Sequence, residues 1–156
     1  MLRLNKFEPQ DRPLYERLAY DPEVMEMNLG RVFTPEEAQM VFEMILALNE
    51  QSGVGYYKVY SGDEYIGLGA LNPSDEEGAV EIEYMLLPAH WGKGHGTGLV
   101  KQLLEMAKVE GYSTAVAITD PANLRSKRIL DKCGFAFVER YLNEDGEEAD
   151  KYRRAL

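Results

Sequence analysis

Residues 91–100 read Trp91-Gly92-Lys93-Gly94-His95-Gly96-Thr97-Gly98-Leu99-Val100, directly after the apolar run Tyr84-Met85-Leu86-Leu87-Pro88. The run has the character of a strand and the segment after the glycines that of a helix. Four glycines at alternate positions join the two. Glycine reaches positive φ freely, and without a Cβ it lets another group approach the backbone closely. A helix starting there turns its unpaired N–H groups and the positive end of its dipole to the same spot. Such an arrangement binds anions, phosphate above all. A flexible glycine-rich loop is the plainer alternative.

The spacing excludes two nucleotide motifs. A dinucleotide fingerprint needs glycines at offsets zero, two and five. Starting from Gly92, Gly94 or Gly96, the third position is Thr97, Leu99 or Lys101. A Walker A loop needs Gly-Lys followed by Ser or Thr, but Gly92-Lys93 is followed by Gly94.

A chain of 156 residues, 45% hydrophobic and 28% charged, has the size and balance of one globular domain. No apolar run approaches the length of about 18 residues needed to span a bilayer, and the first residues lack the apolar stretch of a signal peptide. The single cysteine cannot close an internal disulfide, so a cytoplasmic location is expected. The net charge of −10 argues against binding nucleic-acid backbone. It favours cations, protonated amines included. An anionic ligand then needs a local positive site, which the 92–98 loop with Lys93 offers.

The pattern along the chain predicts an α+β domain with helices on both faces of a mixed sheet. A short strand opens at residues 2–4. Asp11 and Pro13 start a helix with Leu14, Leu18 and Ala19 on one face, and Asp21-Pro22 starts a shorter one. Thr34-Pro35-Glu36-Glu37 is a capping box that launches a helix to about Asn49. Strands follow at 56–60, 65–71 and 79–87. The helix after the glycines ends at Gly111, a strand covers 114–118, and a helix runs from about Leu124 to Lys132. Strands at 136–142 and 149–153 flank Asn143-Glu144-Asp145-Gly146 as a final hairpin.

The glycine segment resembles the pyrophosphate loop of the GCN5-related N-acetyltransferases (GNAT). Their pattern is Gln or Arg, two residues, Gly, any residue, then Gly or Ala. It falls on Trp91, Gly94 and Gly96, with Trp91 in place of Gln or Arg. That departure is common in the branch that acetylates ribosomal-protein N-termini. Asn123-Leu124-Arg125-Ser126 followed by Cys133-Gly134-Phe135 resembles the family's next signature. Val80-Glu81-Ile82-Glu83-Tyr84 is similar to the strand before the loop, where Glu-Ile-Gly-Tyr is usual.

The resemblance implies a mostly antiparallel sheet, splayed in the middle, with a C-terminal β-hairpin. It implies one acetyltransferase domain over 1–156: acceptor-side elements in 1–52, an acetyl-CoA-binding core in 53–135 and the hairpin in 136–156. The implied function is acetyl transfer from acetyl-CoA to a primary amine by direct attack, without a metal, in a monomer or homodimer. A non-catalytic acyl-CoA-binding regulatory domain is the alternative, and a phosphate-binding interaction domain a cruder one. Pantetheine would pair with the backbone of Met85, Leu86 and Leu87. Gly92, Lys93, Gly94, His95, Gly96 and Thr97 would hold the pyrophosphate. Asn123 would contact pantetheine, and Ser126 would donate to the leaving sulfur. Arg31 and Phe33 fall where relatives build the acceptor pocket.

The base is open between Glu81 and Glu83, which share one strand face, with Glu139 or a water chain as further choices. A carboxylate beside another is raised in pKa, which suits a base. Glu83 stands where relatives often carry Gly, which puts the usual assignment to the Glu81 position in doubt. His90 and His95 have no carboxylate at helical spacing and so form no metal site. Cys133 reads as a small buried hydrophobe. The net charge and the acidic segments around Asp75 and Glu144 point to a cationic acceptor.

Overall fold

The computed structural model describes residues 1–156. The elements are β1 (Arg3–Lys6), α1 (Arg12–Ala19), α2 (Pro22–Glu26), α3 (Pro35–Asn49), β2 (Gly55–Ser61), β3 (Glu64–Pro73), β4 (Ala79–Leu86), α4 (His95–Val109), β5 (Thr114–Thr119), α5 (Leu124–Lys132), β6 (Ala136–Leu142) and β7 (Glu148–Ala155). The strands form one sheet in the order β1-β2-β3-β4-β5-β7-β6. Every neighbouring pair is antiparallel except β4 and β5.

The β4–β5 pairing positions the site. It joins only Ala79 to Thr114, Val80 to Ala115 and Glu81 to Val116. From Ile82 onward β4 keeps its partner β3 on one side and has none on the other. The sheet therefore splays in its middle, as the resemblance implies, and leaves backbone donors and acceptors along an open edge.

Side-chain alternation along β4 feeds two cores. Val80, Ile82 and Leu86 join α4 and α5 through Leu99, Leu103 and Leu130. Met85 packs with Phe7, Leu18, Phe42 and Ile45, the core beneath α1, α2 and α3. No helix is long and apolar enough to cross a membrane.

The helix starts follow the sequence with one exception. Thr34 Oγ1 accepts the Glu37 N–H at 3.2 Å and Glu37 Oε1 accepts the Thr34 N–H at 2.9 Å, a reciprocal cap. Asp21 Oδ1 accepts from the N–H groups of Glu23 and Val24. Asp11 precedes α1 as expected but does not cap it with its side chain. Its carboxylate instead accepts the Glu8 N–H at 2.8 Å and pairs with Lys58 at 2.8 Å, tying the helix start to β2. Tyr15 joins Leu18 and Ala19 in the core, and Leu14 packs half-buried against it.

Candidate active site

A cleft of about 430 Å³ opens where the free edge of β4 faces the glycine loop and the start of α5. Leu87 N–H donates to Ile66 O at 2.8 Å across the β3–β4 pair. Antiparallel alternation then turns the backbone of Leu86 to the open edge. The indole Nε1 of Trp91 donates to Leu86 O there at 2.8 Å, which leaves the Leu86 N–H as the donor facing the cleft.

The glycines divide the labour. Gly92 and Gly94 have φ of 73° and 83°, and a Cβ at either would meet nothing within 4 Å. Gly94 caps α4 in the left-handed region, so the loop needs glycine for its backbone turn. The first intrahelical bond runs from Gly98 N–H to Gly94 O at 3.1 Å. Earlier N–H groups of that turn therefore lie ahead of the helical ladder, available to an anion. Gly96 serves packing instead: a Cβ there would lie 2.6 Å from Ile129 Cδ1 of α5.

On α5, Asn123 Oδ1 accepts the Ser126 N–H at 3.1 Å and caps the helix. Arg125, Arg128 and Lys132 line the cleft. Their spacing of three and seven residues puts them on one helical face. This stripe supplies the local positive charge that an acidic chain needs to hold an anion. The Arg125 guanidinium also lies 3.5 Å from the centroid of the Trp91 ring, linking α5 to the loop by a cation–π stack.

A second hollow of about 230 Å³ lies across the splay and shares Met27, Asn28, Tyr84, Met85, Asn123 and Ser126 with the cleft. It is lined by Glu83, Asp120, Glu147 and Glu148 and by no Lys or Arg. Glu83 accepts a hydrogen bond from the Tyr56 hydroxyl at 2.8 Å. Burial raises its pKa, and the Tyr56 and Asn72 side chains oppose that rise. Ser126 Oγ and Tyr84 Oη are 2.7 Å apart at the junction of the two hollows.

Glu81 shares the strand face of Glu83, as the period of two requires, but opens elsewhere. It lines a separate hollow with Glu76, Glu139, Tyr141 and Lys151. Burial first, and then the Glu83 charge, push its pKa up to about 7. The fold therefore favours protonated Glu81, a contribution present below the ordinary carboxylate range and lost as pH rises toward 7. Glu81→Gln, neutral at every pH, is expected to raise the melting temperature by a few degrees near pH 8 and to leave it unchanged near pH 4. Scanning calorimetry checks this, and equal shifts at both pH values would remove the charge as the cause.

The structure brings Met85, Leu86, Gly92, Gly94, Gly96, Thr97, Asn123 and Ser126 to the cleft and Glu83 to the hollow. Others it does not. Leu87 is buried in the core beneath α1, α2 and α3, its N–H already used. Lys93 is exposed and lies outside the cleft lining. His95 faces the His90 ring at 6.2 Å. The Arg31 guanidinium is held by Glu37 at 2.7 and 2.9 Å, bracing the α3 cap, while Phe33 packs on the nearby core. Met27 and Asn28, just past α2, line the hollow where Arg31 and Phe33 were expected.

Residues 1–136 match the family described as Acetyltransferase (GNAT) domain. The chain is 29% identical to an uncharacterized N-acetyltransferase p20 of Bacillus licheniformis, over 99% of this chain and 92% of that protein. It is 26% identical to the FsC-acetyl coenzyme A-N(2)-transacetylase of Aspergillus fumigatus, covering 86% of this chain but spanning only 62% of the fungal protein. Among solved structures, the aminoglycoside acetyltransferase AAC(6')-Ib in complex with coenzyme A superposes with a TM-score of 0.81 at 25% identity, over 99% of this chain and 95% of that one. RimL, a ribosomal L7/L12 alpha-N-protein acetyltransferase in complex with coenzyme A, shares the fold with a TM-score of 0.83 at 18% identity, over 99% and 94%.

Proposed function

The chain belongs to the GNAT acetyltransferase family and is an N-acetyltransferase, and we propose that it moves the acetyl group of acetyl-CoA to a cationic primary amine by direct attack in a ternary complex. The observation that carries this reading is the meeting of cleft and hollow at Tyr84, Met85 and Ser126, on the open edge of β4. A donor lying in the cleft and an amine lying in the hollow would bring their reacting atoms together there, which is what orientation contributes to such a transfer.

Each role has a residue. The N–H groups at the start of α4 and the Arg125, Arg128 and Lys132 stripe hold the phosphates. The Asn123 amide, whose oxygen caps α5, keeps its nitrogen for pantetheine. The Leu86 N–H polarises the thioester carbonyl. Glu83 takes the amine proton, and the Ser126 hydroxyl donates to the sulfur as it departs.

Acceptor-dependent thiol release from acetyl-CoA, measured across a panel of amines, tests the reading. Binding without release would favour the acyl-CoA-binding regulatory domain, and release that ignores the acceptor would make the reaction thioester hydrolysis. Equal affinity for coenzyme A and adenosine diphosphate would reduce the site to a phosphate binder.

The acceptor's charge follows from the lining of the hollow. Asp150 beside it is matched by Arg140 and Lys127, and Glu76 by Lys151 and Arg153. In the hollow Glu147 has no ion pair and Glu148 reaches Arg140 only at 3.9 Å. Diamines are therefore expected to outrun amino acids and acidic peptides. Their kcat/KM should fall with ionic strength, since screening acts over about 10 Å at 0.1 M salt. Salt-independent kinetics on a diamine, or a preference for an acidic acceptor, would show that the acidity serves solubility alone.

A further inference from the structure

Tyr84 is the one tyrosine that lines both the cleft and the hollow. It stands on β4 with its ring against the core beneath α4 and α5, and its hydroxyl lies 2.7 Å from Ser126 Oγ. Burial pushes the phenol up to about 12, so Tyr84 keeps its proton throughout the neutral range. Ser126 is fixed from the other side, because its N–H is bonded to Asn123 Oδ1 at 3.1 Å.

A serine hydroxyl has one hydrogen and two lone pairs. If Ser126 gives that hydrogen to Tyr84, none remains for a ligand. If Tyr84 donates instead, the hydrogen of Ser126 is free to turn into the cleft. A growing negative charge in the cleft selects the second arrangement, since a hydrogen bond to a charged acceptor is about twice as strong as a neutral one. The Tyr84 dipole then also supports the oxygen whose hydrogen is being drawn toward that charge.

We infer that Tyr84 is a positioning residue: its hydroxyl donates to Ser126 Oγ and so aims the Ser126 hydrogen at the departing sulfur. The inference rests on the proposed role of Ser126 in acetyl transfer. In the step it serves, the amine nitrogen forms a bond to the acetyl carbon and the carbon–sulfur bond breaks with its electron pair on sulfur. The amine proton leaves through Glu83. The thiolate, held by the Ser126 hydroxyl, takes a proton from solvent as it departs.

A double-mutant cycle with Tyr84→Phe, Ser126→Ala and both together tests this, because the phenylalanine ring preserves the packing. Each single change is expected to lower kcat roughly tenfold or more, with KM for acetyl-CoA within about twofold of wild type. The double variant should be no slower than Ser126→Ala, since Tyr84 acts only through that hydroxyl. With an aryl thioester donor, whose leaving group needs little help, the Tyr84→Phe loss should shrink.

Multiplying losses in the double variant would overturn the inference, as would a raised KM with kcat intact or a loss independent of the leaving group. Wild-type kcat in Ser126→Ala would overturn the role of Ser126 itself. A slow Ser126→Ala beside an unaffected Tyr84→Phe would remove Tyr84 alone.

Discussion

Replacing Glu83 with Gln is expected to cut turnover of a primary amine by roughly 10²–10⁴-fold near pH 7. The amine arrives as an ammonium ion and cannot attack until it loses a proton. Glu83 is the carboxylate on β4 that lines the hollow shared with Tyr84 and Ser126, whereas Glu81 opens into a different one. Gln keeps the shape and still accepts the Tyr56 hydrogen bond, so the loss reports the missing base and not a collapsed site. Burial raises Glu83, so the acid limb of kcat/KM should lie above the ordinary Glu value of about 4.3. Below that limb wild type and variant are equally slow, because Glu83 is already protonated. The gap opens as pH rises through it and narrows again at alkaline pH, where the amine is neutral unaided. Rate profiles of both proteins check this. A ratio constant across pH, or a larger loss in Glu81→Gln, would take the role from Glu83.

Local signals in the sequence carried most of the fold. The Thr34–Glu37 box, the helix start at Asp21 and the helix stop at Gly111 each depend on a few neighbouring residues, and the structure shows all of them. What depends on distant neighbours was not legible. Asp11 looks like a cap, but Lys58, forty-seven positions on, draws its carboxylate away. Arg31 lies in an acceptor-side segment, yet Glu37 of the next helix claims it in a bidentate pair. The alternation of Glu81 and Glu83 put both on one face but could not say that the sheet splays between them. That depends on where β5 stops pairing with β4.

One missed feature did have a signal. Arg125, Arg128 and Lys132 recur at helical spacing directly after Asn123, and that stripe marks the phosphate side of the cleft more clearly than Lys93 does. Tyr84 had none, because its partner Ser126 is forty-two residues away.

The glycine loop supplies the other large effect. Gly94→Val is expected to weaken acetyl-CoA binding by roughly 100-fold or more while the protein stays folded. Two terms act together. Gly94 sits at φ 83°, where a residue with a Cβ is strained by about 1–2 kcal/mol, enough to shift the loop but not to unfold a domain. The added side chain meets nothing in the protein within 4 Å, so it projects into the space the phosphates would occupy. Losing one or two charge-assisted hydrogen bonds there accounts for the size of the effect. Gly96 separates binding from packing. Its missing Cβ faces Ile129 Cδ1 at 2.6 Å, so Gly96→Ala should lower the melting temperature by pushing α4 from α5. Adding Ile129→Val, which removes the clashing methyl, should restore much of it. Calorimetric titration with acetyl-CoA and thermal melts of the three variants separate the roles. Normal affinity in a folded Gly94→Val protein would show that the phosphates do not rest on this turn.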